Sequence, residues 1–370
     1  MNEDKATRYH RLRRRASLLG TFGVASLLIV LIVSGASGAL RNAAVSLVGG
    51  SFVGTVVLYV VLLFVAAELI ELPLAYYLGV TLERRYGLST QTILSWWADH
   101  LKAAGIGVVF LACGSVVVSL IIRAQPERWW VMAAVGFSAV MIVLAQLAPV
   151  LLLPIFYEFT PLDRPALRER LMALAERAGA KVLGIFEWRL GDKTKKANAA
   201  LTGIGRTRRI LLSDTLLAEH TDDEIEVILA HEIAHHVHHD IWRAIALETA
   251  LMTLGFYLAD WVLAQAVGRF GITAKWDPAA LPILALAGGA VSLGLMPLAN
   301  AVSRAHERRA DRYALEMTDN PPAFMSAMKR LGAQNLAEER PSRIVEVLFY
   351  THPPIAARID AAQAWAARRR

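Results

Sequence analysis

Apolar residues in this chain gather into six long runs: Ala16–Ser34, about Ser51–Val80, Ala103–Ile122, about Trp129–Leu153, Ala244–Val267 and Ala279–Val302. Each reaches about 20 residues or more, the length of helix that crosses the hydrocarbon core of a bilayer, so six membrane crossings are predicted. Two polar stretches break the series, Thr160–Asp240 and Ser303–Arg370. In them the pattern shortens to that of a small mixed domain. Pro165–Ala178 is predicted helical, with proline in the first turn and Gly179 to end it. Strand-like segments follow, VLGIFEWRL, ANAALTGIG and RRILLSDTLL, the first two separated by the polar turn GDKTKK. Thr221-Asp222-Asp223-Glu224 has capping-box spacing ahead of the apolar IEVILA. A helix is therefore expected to start there and to run through the histidines beyond it into the fifth membrane segment. Ser303–Met317 reads as helix continuing from the sixth, and the Ala/Arg-rich Pro353–Arg370 as a closing helix.

The expected organisation is thus a membrane region with four helices over 1–159, a first polar part over 160–240, two membrane helices over 241–302, and a second polar part over 303–370. Composition agrees with a membrane protein: 55% hydrophobic and 19% charged residues. Basic residues set the orientation. RYHRLRRR precedes the first run, and Arg84, Arg85 and Lys102 lie between the second and third, whereas the alternate loops are sparse in lysine and arginine. The positive-inside rule makes the basic loops cytoplasmic. Six crossings then leave both polar parts on the cytoplasmic side. GASGA after the first run resembles a signal-peptide cleavage site, but the apolar run is longer than the usual 7–15 residues and is expected to stay as an anchor.

A net charge of +7 raises the question of nucleic acid. The basic residues are dispersed or flank membrane segments, where topology explains them, so no nucleic-acid partner is expected. The single Cys113 lies inside the third run and rules out an intramolecular disulfide and a cysteine-based zinc site.

Candidate chemistry is concentrated in HEIAHHVHHD, residues 231–240, which holds five of the ten histidines. His231, Glu232 and His235 satisfy H-E-x-x-H. On a helix, positions i and i+4 share a face, so two imidazoles reach one zinc ion while Glu232 serves as general base. His235 with His239 has the same spacing but lacks the glutamate. His236, His238 and His239 are expected to be solvated or to support the ligands from behind. Catalytic zinc usually takes three protein ligands. In SRAHERRAD, residues 303–311, Glu307 and Asp311 are again i,i+4. Glu307 can supply the third ligand and Asp311 can hydrogen-bond a ligand imidazole. The alternative is a solvated charged face, since Arg304, Arg308, Arg309 and Arg312 surround the pair.

PIFYEFTPL, NAALTGIGRTRRILLSDTLL, HEIAH, SRAHERRAD and THPPIAARI occur here in the same order as in a known family. From about Leu78 to its end the chain resembles the type I CaaX prenyl endopeptidases and their bacterial relatives, the HtpX-like membrane metalloproteases. The resemblance implies an α-helical multi-pass membrane protein with a small α+β zincin-like metallopeptidase domain. It implies one zinc ion per chain on His231, His235 and Glu307, with catalytic Glu232. It further implies that Asn198 and Ala199 pair with an extended peptide or protein substrate, and that His352 stabilises the tetrahedral intermediate. Two features depart from the family. The eukaryotic prenyl endopeptidases have seven membrane helices where six are predicted here, and Asp240 stands where a histidine is common. The Ala/Arg-rich composition points to a bacterial plasma (inner) membrane, where quality control or broad endopeptidase activity is expected rather than CaaX processing. Glu68 and Glu71, inside the second run, fit either the wall of a water-filled chamber or locally satisfied bundle carboxylates. They are also the best support for an alternative, a transporter or channel with a non-catalytic metal site.

Overall fold

The computed structural model describes residues 4–203 and 208–369, apart from the side chain of Gln146. The apolar runs form long helices: α1 (Lys5–Val33), α3 (Phe52–Tyr76), α5 (Ile93–Ala124), α6 (Trp129–Leu147), α11 (Asp240–Ala266) and α12 (Leu281–Thr318). A short α2 (Ala36–Leu47) joins the first two. α3 continues through a wider turn into α4 (Glu83–Arg85), and α6 through another into α7 (Leu153–Phe156). Among the described residues five of these helices are long and apolar enough to cross a bilayer, and six if the pair around Ala148, bent by 49°, is one span. Pro149, just past the bend, removes a backbone donor there.

Large apolar side chains on these helices face outward, among them Leu19, Leu69, Leu94, Val135 and Trp261. In water such a surface would aggregate. In a bilayer it is the lipid-facing skin, because hydrocarbon imposes no penalty on an outward leucine. Polar contacts tie the bundle together where it turns: Ser37 Oγ bonds the Tyr59 hydroxyl and the Ala279 carbonyl, each at 2.7 Å.

The polar parts fold into one lobe. Its sheet runs β1 (Phe159–Pro161), β2 (Gly184–Trp188), β4 (Arg209–Ser213), β3 (Ala199–Thr202) in spatial order. β2 and β4 are parallel, with the outer strands antiparallel to them. α8 (Pro165–Arg177) carries Pro165 in its first turn and ends before Gly179, at φ 66°. Only the absence of a Cβ makes that left-handed backbone easy. α9 (Asp214–Glu219), α10 (Asp222–Val237), α13 (Pro321–Gln334), α14 (Arg343–Phe349) and α15 (Ile355–Ala367) complete the lobe.

α10 is its core. Ile225, Ile228, Leu229 and Ile233 are buried together with Leu171 of α8, Ile210 and Leu212 of β4, and Phe324 and Met328 of α13. Thr221 caps the helix and the Glu224 side chain bonds back to the Thr221 N–H, so the capping box is complete.

Three local expectations change. The strand over 208–217 ends at Ser213, whose hydroxyl accepts the Leu216 N–H and starts α9 instead. The predicted strand ANAALTGIG keeps only Ala199–Thr202, and residues 204–207 lie outside the described chain. The helix through the histidines is not continuous with the membrane segment. It stops at Val237, and His239 takes a left-handed conformation (φ 58°, ψ 35°) before α11 begins at Asp240. The break swings Asp240 back towards His235, an arrangement that an unbroken helix would forbid.

Candidate metal centre

Two crossing helices supply the centre. α10 presents His231 and His235 one turn apart. α12 presents Glu307 and, one turn on, Asp311; both are buried. One ligand atom each from His231, His235 and Glu307 can be chosen so that all lie within 4.8 Å of one another.

Which atoms converge is set from behind. His231 Nδ1 lies 2.9 Å from Asp311 Oδ1, and His235 Nδ1 lies 2.9 Å from Asp240 Oδ2. A carboxylate accepts Nδ1–H, which leaves the Nε2 lone pair of each imidazole free for a cation. Those Nε2 atoms lie 3.2 and 3.3 Å from Glu307 Oε2 and Oε1 respectively. Glu307 Oε2 is buried and has no hydrogen-bond partner among the described residues, although His231 Nε2 is near. Two imidazole nitrogens and an unsatisfied carboxylate oxygen turned to one point are the donor set of a zinc site, and the residues fit that ion.

The electrostatics agree. Burial disfavours a charged imidazole at His231, but Asp311 and Glu307 outweigh it and raise its pKa to about 9. Negative charge that favours a proton on this ring favours a metal cation beside it for the same reason. Burial pushes the Glu232 carboxyl up, against the pull of the two histidines, and so makes it a better proton acceptor than an ordinary glutamate.

His352 reaches the centre from the loop between α14 and α15. Its Nε2 lies 3.3 Å from Glu307 Oε1, and 59% of its side chain is exposed. Partial burial lowers its pKa despite the neighbouring Glu307, so the ring is uncharged at neutral pH. A cavity of about 640 Å³ opens beside it, lined in part by Leu18, Met296, Phe349 and Tyr350. Asn198 and Ala199 lie at the start of β3. The Asn198 carbonyl and amide are already taken by Ser213, whereas β3 pairs only with β4 among the described residues and its other edge is free. β3 packs against α10, the helix of the two histidines. His236, His238 and His239 are not brought to the centre: His236 and His239 stack on each other, and His238 meets Tyr313.

Sequence reasoning passed over two supporting residues. Asp240 stood out only as a departure from a pattern, yet it holds His235. Arg358, inside THPPIAARI, is 10% exposed in its side chain and makes two bonds to Asp311, at 2.9 Å through Nε and 2.5 Å through Nη2. Neither carries a local signal, because each acts across a long sequence separation or a chain reversal. Glu68 is satisfied locally, 2.6 Å from His100 Nε2, and Glu71 lies against Gly20 of α1.

Comparison with known proteins agrees with the geometry. Residues 161–366 match the model of peptidase family M48, and residues 2–158 match the CAAX prenyl protease N-terminal region, described as having five membrane helices. Four long helices, α1, α3, α5 and α6, lie in that stretch here; α2 is a fifth, but at 12 residues it is roughly 18 Å long and too short to span a bilayer. An uncharacterized metalloprotease of Bacillus subtilis, YhfN, is 31% identical over 341 residues, 91% of this chain and 80% of its own. CAAX prenyl protease 1 of Saccharomyces cerevisiae is 27% identical over 323 residues, 80% of this chain and 69% of its own. The fold matches the crystal structure of S. mikatae Ste24p with a TM-score of 0.83, over 97% of this chain and 87% of that one, at 24% identity. With more than half of its length in that family's model and an H-E-x-x-H helix crossed by a glutamate-bearing helix, the chain belongs to peptidase family M48 and is a membrane-embedded zinc metalloendopeptidase.

Proposed function

We propose that this enzyme cuts extended segments of protein substrates on the cytoplasmic side of a bacterial plasma membrane, as a broad or quality-control endopeptidase. In this reading residues 160–240 and 303–370 are the two parts of the peptidase domain, and 1–159 and 241–302 its membrane anchors. His231, His235 and Glu307 hold one zinc ion, with Asp311 and Asp240 fixing the imidazoles. When bound, zinc supplies Lewis-acid chemistry: it polarises the scissile carbonyl and makes water a nucleophile near neutral pH. The substrate lies along the free edge of β3 near Asn198 and Ala199, where unpaired backbone groups take an extended peptide as an added strand. Glu232 accepts the proton the attacking water loses and passes it to the leaving amine as the C–N bond breaks. His352 donates from Nε2 to the oxygen on which negative charge develops.

The observation that carries this reading is the convergence of both Nε2 atoms and a partnerless Glu307 oxygen on one point. Its test is elemental analysis beside proteolysis of a disordered protein in detergent. One zinc per chain is expected, lost in His231→Ala and Glu307→Ala but kept in Glu232→Gln, whose turnover falls by roughly a hundred- to ten-thousandfold. Full zinc in Glu307→Ala would remove that residue from the ligand set. A reporter fused after Asp214 should read as cytoplasmic; an external signal would overturn the orientation.

A further inference from the structure

α12 carries more than a ligand. Asn300, Arg304, Glu307 and Asp311 are all buried, and their spacing places them on one face of the helix. The last two serve the centre. The first two point at the segment that leads to His352, and no part of the chemistry described so far uses them.

Arg304 Nη1 donates to the carbonyls of Glu346, at 3.0 Å, and Tyr350, at 2.6 Å. Asn300 Nδ2 donates to the Leu348 carbonyl at 2.8 Å and lies 3.5 Å from that of Val347. The Glu346 carbonyl also accepts the Tyr350 N–H at 3.1 Å, whereas those of Val347, Leu348 and Tyr350 lie at and beyond the end of α14, where a helix leaves carbonyls without internal partners. A cation at a helix C-terminus is favourable, but a buried guanidinium is costly without a close counter-ion. The carboxylate nearest Arg304 is that of Glu346, a loose 3.8 Å from its Nε. So the charge is held by carbonyls. The same loop is held from the other side. The Tyr350 hydroxyl bonds Glu338, which Arg14 of α1 engages at 2.7 Å. Tyr350 is therefore gripped by backbone and by side chain, two residues before a histidine whose own side chain is mostly exposed.

From this geometry we infer that Asn300 and Arg304 are positioning residues: they hold the end of α14 so that His352 Nε2 stays over Glu307. The inference rests on the role given to His352 above. Because both residues share a helix with Glu307, the donor and the metal ligand move as one body. An exposed loop histidine could not otherwise keep the few tenths of an ångström that transition-state stabilisation needs.

The test uses the full-length, zinc-loaded enzyme in detergent with fluorescein-labelled β-casein. Arg304→Gln should lower kcat by roughly ten- to a hundredfold, as a misplacement of about 1 Å does, with KM and zinc content unchanged. Hydrogen exchange should quicken in residues 343–352 and not in α10. Arg304→Lys, which keeps the charge but not the two-carbonyl reach, should recover part of the loss. In a His352→Ala background, Arg304→Gln should cost nothing further. A normal kcat in Arg304→Gln, or losses that multiply in the double variant, would overturn the positioning role while leaving His352 as donor. Normal turnover in His352→Ala alone would overturn the donor reading and the positioning role with it. If Arg304→Gln fails to fold, Asn300→Ala carries the same comparison, with a smaller drop in kcat expected.

Discussion

The two histidines of the centre are held by the same device in different surroundings. Behind His231 stand Asp311 and Arg358; behind His235 stand Asp240 and Arg309. Each imidazole donates to a carboxylate, and each carboxylate is neutralised by an arginine. The first set is deep: the side chains of His231, Asp311 and Arg358 are 8%, 9% and 10% exposed. The second is shallower at its ends, with His235 27% and Arg309 33% exposed, although Asp240 between them is buried at 7%. Asp311 receives two nitrogens of Arg358 in a planar fork, whereas Arg309 meets Asp240 through one nitrogen and its Nε has no partner among the described residues. Water can relax around the shallow set but not around the deep one. One imidazole is therefore locked, and the other is held but able to adjust.

Removing the two carboxylates puts that contrast to the sharpest test. Asp311→Asn should weaken zinc by about a hundredfold and Asp240→Asn by nearer tenfold, within the span seen when a ligand's supporting partner is lost. Competition with a chromogenic chelator measures both, and equal losses would show that depth does not matter here. Asp311→Asn carries a second penalty, since Arg358 would be left charged and unpaired.

The arginines give the next largest effect. Arg358→Gln strands a buried carboxylate and should destabilise by about 3–5 kcal/mol. Arg309→Gln should cost less, because the lost guanidinium is a third exposed and Arg243 lies 3.9 Å from the same Asp240 oxygen. Denaturant midpoints of the zinc-free proteins decide it, and a large loss at Arg309 would make the shallow set as rigid as the deep one.

A control on the same helix sharpens the comparison from outside the centre. Glu224 is buried at the start of α10. Burial alone would raise its pKa, but the Ser326 hydroxyl, the Thr221 N–H and Arg330 outweigh it and lower it. A lowered folded pKa means stability that is present above the ordinary glutamate pKa and lost as pH falls through the folded value. Glu224→Gln should cost about 1–2 kcal/mol near neutral pH and flatten the acid dependence of the melting temperature, with zinc affinity unchanged. Weaker zinc in this variant would mean that the centre senses the whole helix and not its own supports.

Much of this molecule is readable from local pattern. Six apolar runs announce long helices because a membrane span must satisfy its backbone internally over a fixed thickness, a constraint each segment meets alone. The capping box at Thr221, the proline and glycine bounding α8, and the i,i+4 pairs on α10 and α12 are likewise properties of short segments. So the sequence by itself determined the membrane class, the H-E-x-x-H helix and a short roster of candidate ligands. It could not choose between Glu307 as ligand and Glu307 on a solvated arginine-rich face, because both have the same spacing. Tertiary structure removed the solvated face by burying Glu307 and Asp311. It buried the face of α12 against α10, turned the chain at His239 so that Asp240 backs His235, and brought Arg358 from the last helix onto Asp311. It also carried His352 to Glu307 on a loop that α12 holds by its carbonyls. The physical reason is one of range: helix, cap and span are set by neighbours in sequence. A metal centre is set by where lone pairs and counter-charges meet, and here they meet across separations of up to 127 residues.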